Sequence, residues 1–119
     1  MPGSKNTSGF RGITVAELET MLQRGGLRLI DVRARHGEAE PSGAEMARGK
    51  IPQGDLLPLH LIPMRLHELD KNAPTVFYCQ MGGRSAQAAA FSAANGFADV
   101  YNLQGGITAW AHAGLPIAA

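Results

Sequence analysis

The sequence predicts an α/β domain: a mostly parallel sheet of four to five strands with helices on both faces. Three observations lead there. Short runs rich in β-branched and aromatic residues, such as Leu29-Ile30-Asp31-Val32 and Thr75-Val76-Phe77-Tyr78, recur between segments of helical period. That alternation is how crossover helices join parallel strands. Glycines close the helical segments at Gly25-Gly26 and Asn95-Gly96. The length of 119 residues suits one domain with a real core.

Taken in order, residues 1–9 are small and polar and read as a disordered N-terminal arm, with the folded domain over residues 10–119. Thr14 and Glu17 make a capping box, and Val15, Leu18, Met21 and Leu22 fall on one helical face before Gly25-Gly26. A strand over Arg28 to Val32 follows. The stretch from 34 to 49 is polar, contains Pro41, Ser42 and Gly43, and reads as a loop with one helical turn at Ala44 to Arg48. A short strand is expected near Leu56 to Leu59 and a helix from Pro63 to Leu69, proline being accepted at the first helical position. Thr75 to Tyr78 is the clearest strand. An alanine-rich helix begins at Ser85, a last strand spans Asp99 to Leu103, and a last helix spans Ile107 to Ala113. In such a sheet, ligands bind beyond the carboxyl ends of the strands.

Composition narrows the function. Lys and Arg number 11 against 10 Asp and Glu, a formal charge of +1, so no general electrostatic field recruits nucleic acid or an anionic membrane. Cys79 is the single cysteine, which excludes an internal disulfide and leaves a thiol suited to a reducing compartment. The first nine residues lack the apolar core of a signal peptide, so a cytoplasmic location is expected. His36, His60, His67 and His112 lack metal-site spacing and read as surface residues, so no metal is expected.

Cys79 is the candidate nucleophile. It ends an apolar strand and opens the loop Gln80-Met81-Gly82-Gly83-Arg84-Ser85, whose glycines lead into a helix. Such a turn aims unpaired N–H groups and the positive end of a helix dipole into its bowl, which acidifies a thiol placed there. The alternative is a small buried hydrophobe at a strand end. A glycine pair in a loop with no task would cost entropy without return, which favours the functional reading. Ser85 is expected to cap the helix.

The motif Cys-x-x-Gly-x-Arg-Ser resembles the active-site loop of the rhodanese family of sulfurtransferases. Three further segments resemble that family in the same order. They are Leu29-Ile30-Asp31-Val32-Arg33, then Gly49-Lys50-Ile51-Pro52-Gln53-Gly54 with Lys50 where the family has histidine, and Asn102-Leu103-Gln104-Gly105-Gly106-Ile107-Thr108-Ala109-Trp110 with Gly114-Leu115-Pro116. The likeness runs from Ile13 to Ile117. It implies a rhodanese-like three-layer α/β/α fold and a sulfurtransferase without a cofactor. Cys79 would take sulfane sulfur from thiosulfate, glutathione persulfide or polysulfide and pass it, as a persulfide, to a thiol or cyanide. The implied partners are a small-molecule donor and a thiol acceptor or protein sulfur carrier.

The same resemblance gives Arg84 a loop-anchoring role, its guanidinium directed toward the loop rim or toward Asp31, and makes Asp31 and Arg33 supporting residues. Arg33 reads as a structural ion pair before it reads as an anion ligand. Gln80 and Met81 should line the mouth, uncharged where thiosulfate-specialised members carry basic groups, and Trp110 should pack in the core. Relative to the family the 34–49 stretch is an insertion, either a flap near the site or a solvated loop. Two alternatives stay open: a sulfur-relay module with little free activity, and a cysteine-dependent phosphatase or arsenate reductase. The last two classes use Cys-x5-Arg, one residue longer than the Cys-x4-Arg from Cys79 to Arg84.

Overall fold

The computed structural model describes residues 9–33 and 49–118. The N-terminal arm up to residue 8, the helical turn expected at 44–48, the insertion at 34–48 and His36 lie outside the described residues. Five strands form one sheet: β1 (Arg11–Ile13), β2 (Arg28–Asp31), β3 (Asp55–Leu56), β4 (Thr75–Tyr78) and β5 (Val100–Leu103), in the order β1-β5-β4-β2-β3. Every pairing is parallel. Among the described residues four α-helices connect them: α1 (Val15–Arg24), α2 (Ile62–Arg65), α3 (Gly83–Ala94) and α4 (Gly106–His112). A helical layer on each face makes this the expected three-layer α/β/α arrangement.

The alternation of side chains along the strands builds two cores. On one face Ile30, Phe77 and Val100 pack with Ala88 and Ala89 of α3, Ile62 of α2 and Phe97. On the other, Leu29, Val76, Tyr78, Tyr101 and Leu103 pack with Leu18 of α1 and Ile107 and Trp110 of α4. The alanines and Ser92 on the buried side of α3 let it lie close to the sheet. The Thr14–Glu17 capping box is present, with Glu17 N–H donating to Thr14 Oγ1 at 3.1 Å and Thr14 N–H to Glu17 Oε1 at 2.8 Å. Trp110 is buried as expected, and its indole N–H donates to Pro116 O at 2.8 Å. None of the described helices is long and apolar enough to cross a membrane.

Several expected elements shift, each for a local reason. β1 was not expected; its three residues include Gly12 and become a strand by pairing with Tyr101–Leu103. The strand expected near Leu56 to Leu59 is instead Asp55–Leu56, followed by a 3₁₀ turn at Leu59–Leu61. Pro58 between them has no N–H for a ladder. The helix expected over Pro63 to Leu69 is one α-turn from Ile62, then a 3₁₀ turn at Leu66–Glu68. Helix α3 starts at Gly83, two residues ahead of Ser85, because Gly82 takes φ 111° and turns the chain early. Strands β2 and β5 and helix α4 match their expected spans to within a residue at each end.

Candidate active site

Cys79 sits just past the carboxyl end of β4, a central strand flanked by β2 and β5, and is only 1% exposed. The chain then turns back over its sulfur. Gly82 N–H donates to Cys79 Sγ at 3.1 Å and Ser85 N–H at 3.4 Å, while Ser85 Oγ lies 3.3 Å from the same sulfur. Burial pushes the thiol's pKa up, but hydrogen bonds from Ser85 and from the amides of Gly82 and Met81 outweigh it, leaving the thiol below the ordinary cysteine value. An open cavity of about 410 Å³ is lined by Cys79, Gln80, Met81, Gly83, Arg84 and Gln87. Met81 is 69% exposed at its rim.

Helix α4 explains why the loop presents N–H groups rather than carbonyls. Ile107 N–H donates to Cys79 O at 2.9 Å and Thr108 N–H to Gln80 O at 3.1 Å, so the first turn of α4 draws both oxygens away from the bowl. Gly106 makes this approach possible. Its φ is +56°, and a Cβ there would fall on the carbonyl oxygens of Cys79 and Gln80. The C-terminal glycine pair therefore serves the Cys79 loop directly.

Behind the loop, on the other face of the sheet, lies a buried ion pair. Arg33 donates to Asp31 through Nε at 3.0 Å and Nη2 at 2.8 Å, a two-pronged contact, and Tyr78 Oη donates to Asp31 Oδ2 at 3.1 Å. Both charged side chains are essentially inaccessible. Arg33 also reaches Gly49 O at 3.0 Å and Gln80 Oε1 at 3.4 Å, tying the ion pair to the loop. Ile51 N–H donates to Tyr78 Oη at 3.2 Å. Burial first, and Asp31 beside it, push the Tyr78 hydroxyl well above the usual tyrosine range. Gln80 Nε2 completes the link by donating to Thr108 Oγ1 at 3.2 Å.

Asp31 is thus buried as expected, but its cation is Arg33, not Arg84. Asp31 and Arg33 lie two residues apart on the same side of the chain, whereas Arg84 lines the cavity around Cys79. Ser85 does not cap α3 either; Gly82 is the N-cap, and Ser85 sits inside the first turn with its side chain toward Cys79 and Asn102. His60, His67 and His112 are exposed. Among the described residues, no three His, Cys, Asp or Glu side chains converge. The residues that sequence reading missed are Tyr78, Gly106, Thr108 and Asn102. A larger open cavity of about 600 Å³, between the turn at Leu66–Glu68 and the end of α3, contains no residue of the Cys79 loop.

A family model for the rhodanese-like domain matches residues 14–113. A sulfurtransferase from Allochromatium vinosum is 46% identical over 91 residues, covering 76% of this chain and 78% of that protein. The thiosulfate sulfurtransferase GlpE of Pseudomonas syringae is 32% identical over 101 residues, covering 85% and 87%. The crystal structure of a rhodanese-like domain protein from Staphylococcus aureus superposes with a TM-score of 0.74 at 33% identity, covering 92% of this chain and all of that one. The chain belongs to the rhodanese-like domain family. As an enzyme it falls within the rhodanese-type sulfurtransferases.

Proposed function

We propose that Cys79 is the nucleophile of this sulfurtransferase and that it works through a persulfide. The observation carrying the reading is the sulfur atom itself, held by two backbone N–H groups, in a residue that lines an open cavity. The Cys79 thiolate attacks the sulfane sulfur of a donor. The donor's sulfur–sulfur bond breaks, sulfite leaves from thiosulfate or a thiolate from glutathione persulfide or polysulfide, and Cys79 keeps one sulfur as Cys79–S–S⁻. An acceptor thiolate or cyanide then attacks that outer sulfur and Cys79 leaves as thiolate. Loop amides suit both anions, so no metal or organic cofactor is needed for the charge.

Because Cys79 is only 1% exposed, the donor must present one slender terminal atom. Among the described residues Arg84 adds positive potential at the rim while Gln80 and Met81 are uncharged, which favours donors less charged than thiosulfate. A small donor and a thiol acceptor are the simplest partners, and a protein sulfur carrier offering a terminal persulfide would reach the same atom. A lone working thiol suits a reducing compartment, which supports a cytoplasmic location.

Mass spectrometry of the intact protein tests the reading. After incubation with glutathione persulfide, thiosulfate or polysulfide, one sulfur of about 32 Da should be added, and cyanide or a thiol should remove it. Cys79→Ser should abolish both events while changing stability by less than about 1 kcal/mol, the hydroxyl being similar in size. Loss of uptake from every donor, together with aryl phosphate hydrolysis through Cys79, would establish phosphatase chemistry instead.

A further inference from the structure

The Ser85 hydroxyl has one proton and three acceptors around it. Its Oγ lies 2.5 Å from Asn102 Oδ1, 3.2 Å from Gly82 O and 3.3 Å from Cys79 Sγ. Asn102 is a buried polar residue on β5 whose side chain points to the α3 face, opposite Tyr101 and Leu103. Its amide orientation is fixed by chemistry. Nδ2 faces the Gly82 carbonyl at 3.3 Å, and a carbonyl can only accept, so turning the amide over would set two oxygens against each other. Oδ1 therefore faces Ser85, and because Oδ1 also only accepts, the Ser85 proton lies on that shortest contact. Committed this way, Ser85 shows Cys79 only lone pairs. Those lone pairs accept from an S–H and repel an S⁻.

We propose that Asn102 is a positioning residue for Cys79, which holds the Ser85 proton away from the sulfur and releases it only to a charged sulfur. The amides of Gly82 and Ser85 favour the thiolate at all times. The Ser85 hydroxyl joins them after the thiol proton has left to solvent and the O–H has rotated from Asn102 Oδ1 to Sγ, a turn about the Cβ–Oγ bond that breaks no covalent bond. When sulfur is taken up and the charge moves to the outer atom, the hydroxyl returns to Asn102. Asn102 thus sets how readily Cys79 ionises and how firmly the inner sulfur is held as leaving group. This role deepens the reading of Cys79 as the nucleophile and rests on it.

The charged groups nearby are few among the described residues. Among the described residues Arg84, on α3, lines the cavity at Cys79; Phe77 on β4, Asn102 on β5 and Thr108 on α4 are uncharged. Arg33 and Asp31 lie beyond Gln80, and His112 borders the cavity behind Gln80. All of these are the same in every protein compared below and cancel in the differences.

The test is the pH profile of Cys79 alkylation by iodoacetamide in four full-length proteins: wild type, Asn102→Leu, Ser85→Ala and the double variant. Asn102→Leu should lower the midpoint by about half a unit or more, roughly a threefold gain in thiolate below the midpoint. Ser85→Ala should raise the midpoint more in the Asn102→Leu background than in the wild type, because only there is the hydroxyl already free to donate. An unchanged or raised midpoint in Asn102→Leu overturns the proposal, as does an equal Ser85→Ala effect in both backgrounds. If Asn102→Leu does not fold, Ser85→Ala alone decides: a rise below about half a unit supports the role and a larger one overturns it. Alkylation needs no sulfur donor, so this result is independent of whether Cys79 takes up sulfur.

Discussion

Two charge-bearing regions flank the end of β4, and the protein handles them differently. The Asp31–Arg33 pair is permanent and buried, and each charge is met by the other, with Tyr78, Gln80 and main-chain groups among the further partners. In the cycle proposed above the Cys79 sulfur is charged only part of the time, and among the described residues what hydrogen-bonds to it is neutral: amides of the loop and a hydroxyl. A full counter-ion against Cys79 would lock the charge on the inner sulfur. Neutral dipoles stabilise it there and still let it move outward by one bond length. Fixed charge is matched by charge, and travelling charge by dipoles.

Breaking the fixed side should give the largest effect. Asp31→Ala leaves Arg33 buried without its carboxylate and should lower the unfolding free energy by about 3–5 kcal/mol, read from urea titrations. Loss of less than about 1 kcal/mol would mean that the ion pair is incidental. Gly106→Ala should come next, since it forces a side chain onto the carbonyls of Cys79 and Gln80 in a left-handed backbone. We expect a stability loss of about 1–3 kcal/mol and a fall in sulfur transfer larger than that loss explains. A Gly106→Ala protein with normal turnover would separate α4 from the cradle. Tyr78→Phe sharpens the comparison, because it removes one partner of Asp31 and orphans the Ile51 N–H while keeping both charges. It should cost about 1–3 kcal/mol and leave the alkylation profile of Cys79 almost unmoved.

The smallest effect is a pH dependence of stability. Cys79 has a lowered pKa in the folded protein, so the folded state binds its proton less tightly than the unfolded chain does. The stabilisation this gives is complete above the unfolded thiol's pKa and is lost as pH falls through the folded value. Cys79→Ser should remove that increment: the difference in unfolding free energy between wild type and variant should grow as pH rises through this window. A flat difference would mean that the loop does not favour the thiolate.

The parts of this molecule legible in the sequence are those set by local chemistry. Thr75–Tyr78 is β-branched or aromatic throughout, and the residues after it combine glycine with strong helix formers, so strand, turn and helix are all written within twenty residues. β1 is not legible because Arg11–Ile13 has no strand character of its own and exists through its pairing with β5. The partner of Asp31 was within reach: spacing of two along an extended chain places Arg33 on the same side, a stronger signal than the resemblance that favoured Arg84. Asn102 had a signal too, as the one amide in an otherwise apolar strand on the side facing α3. The roles of Gly106 and Thr108 had none, because they follow from how α4 meets a loop more than twenty residues earlier in the chain.

The cradle around Cys79 is made mostly of main chain, and this has a bearing on how the protein can change over generations. A substitution at Met81, Gly83 or Arg84 alters the shape, polarity or charge of the mouth but does not delete the N–H groups that hold the sulfur. Only proline at a donor position, or a side chain where Gly82 or Gly106 must bend, removes the anion site itself. Preference for one sulfur compound over another can therefore drift by ordinary side-chain replacement while the chemistry stays intact, so the loop can diversify without passing through an inactive ancestor.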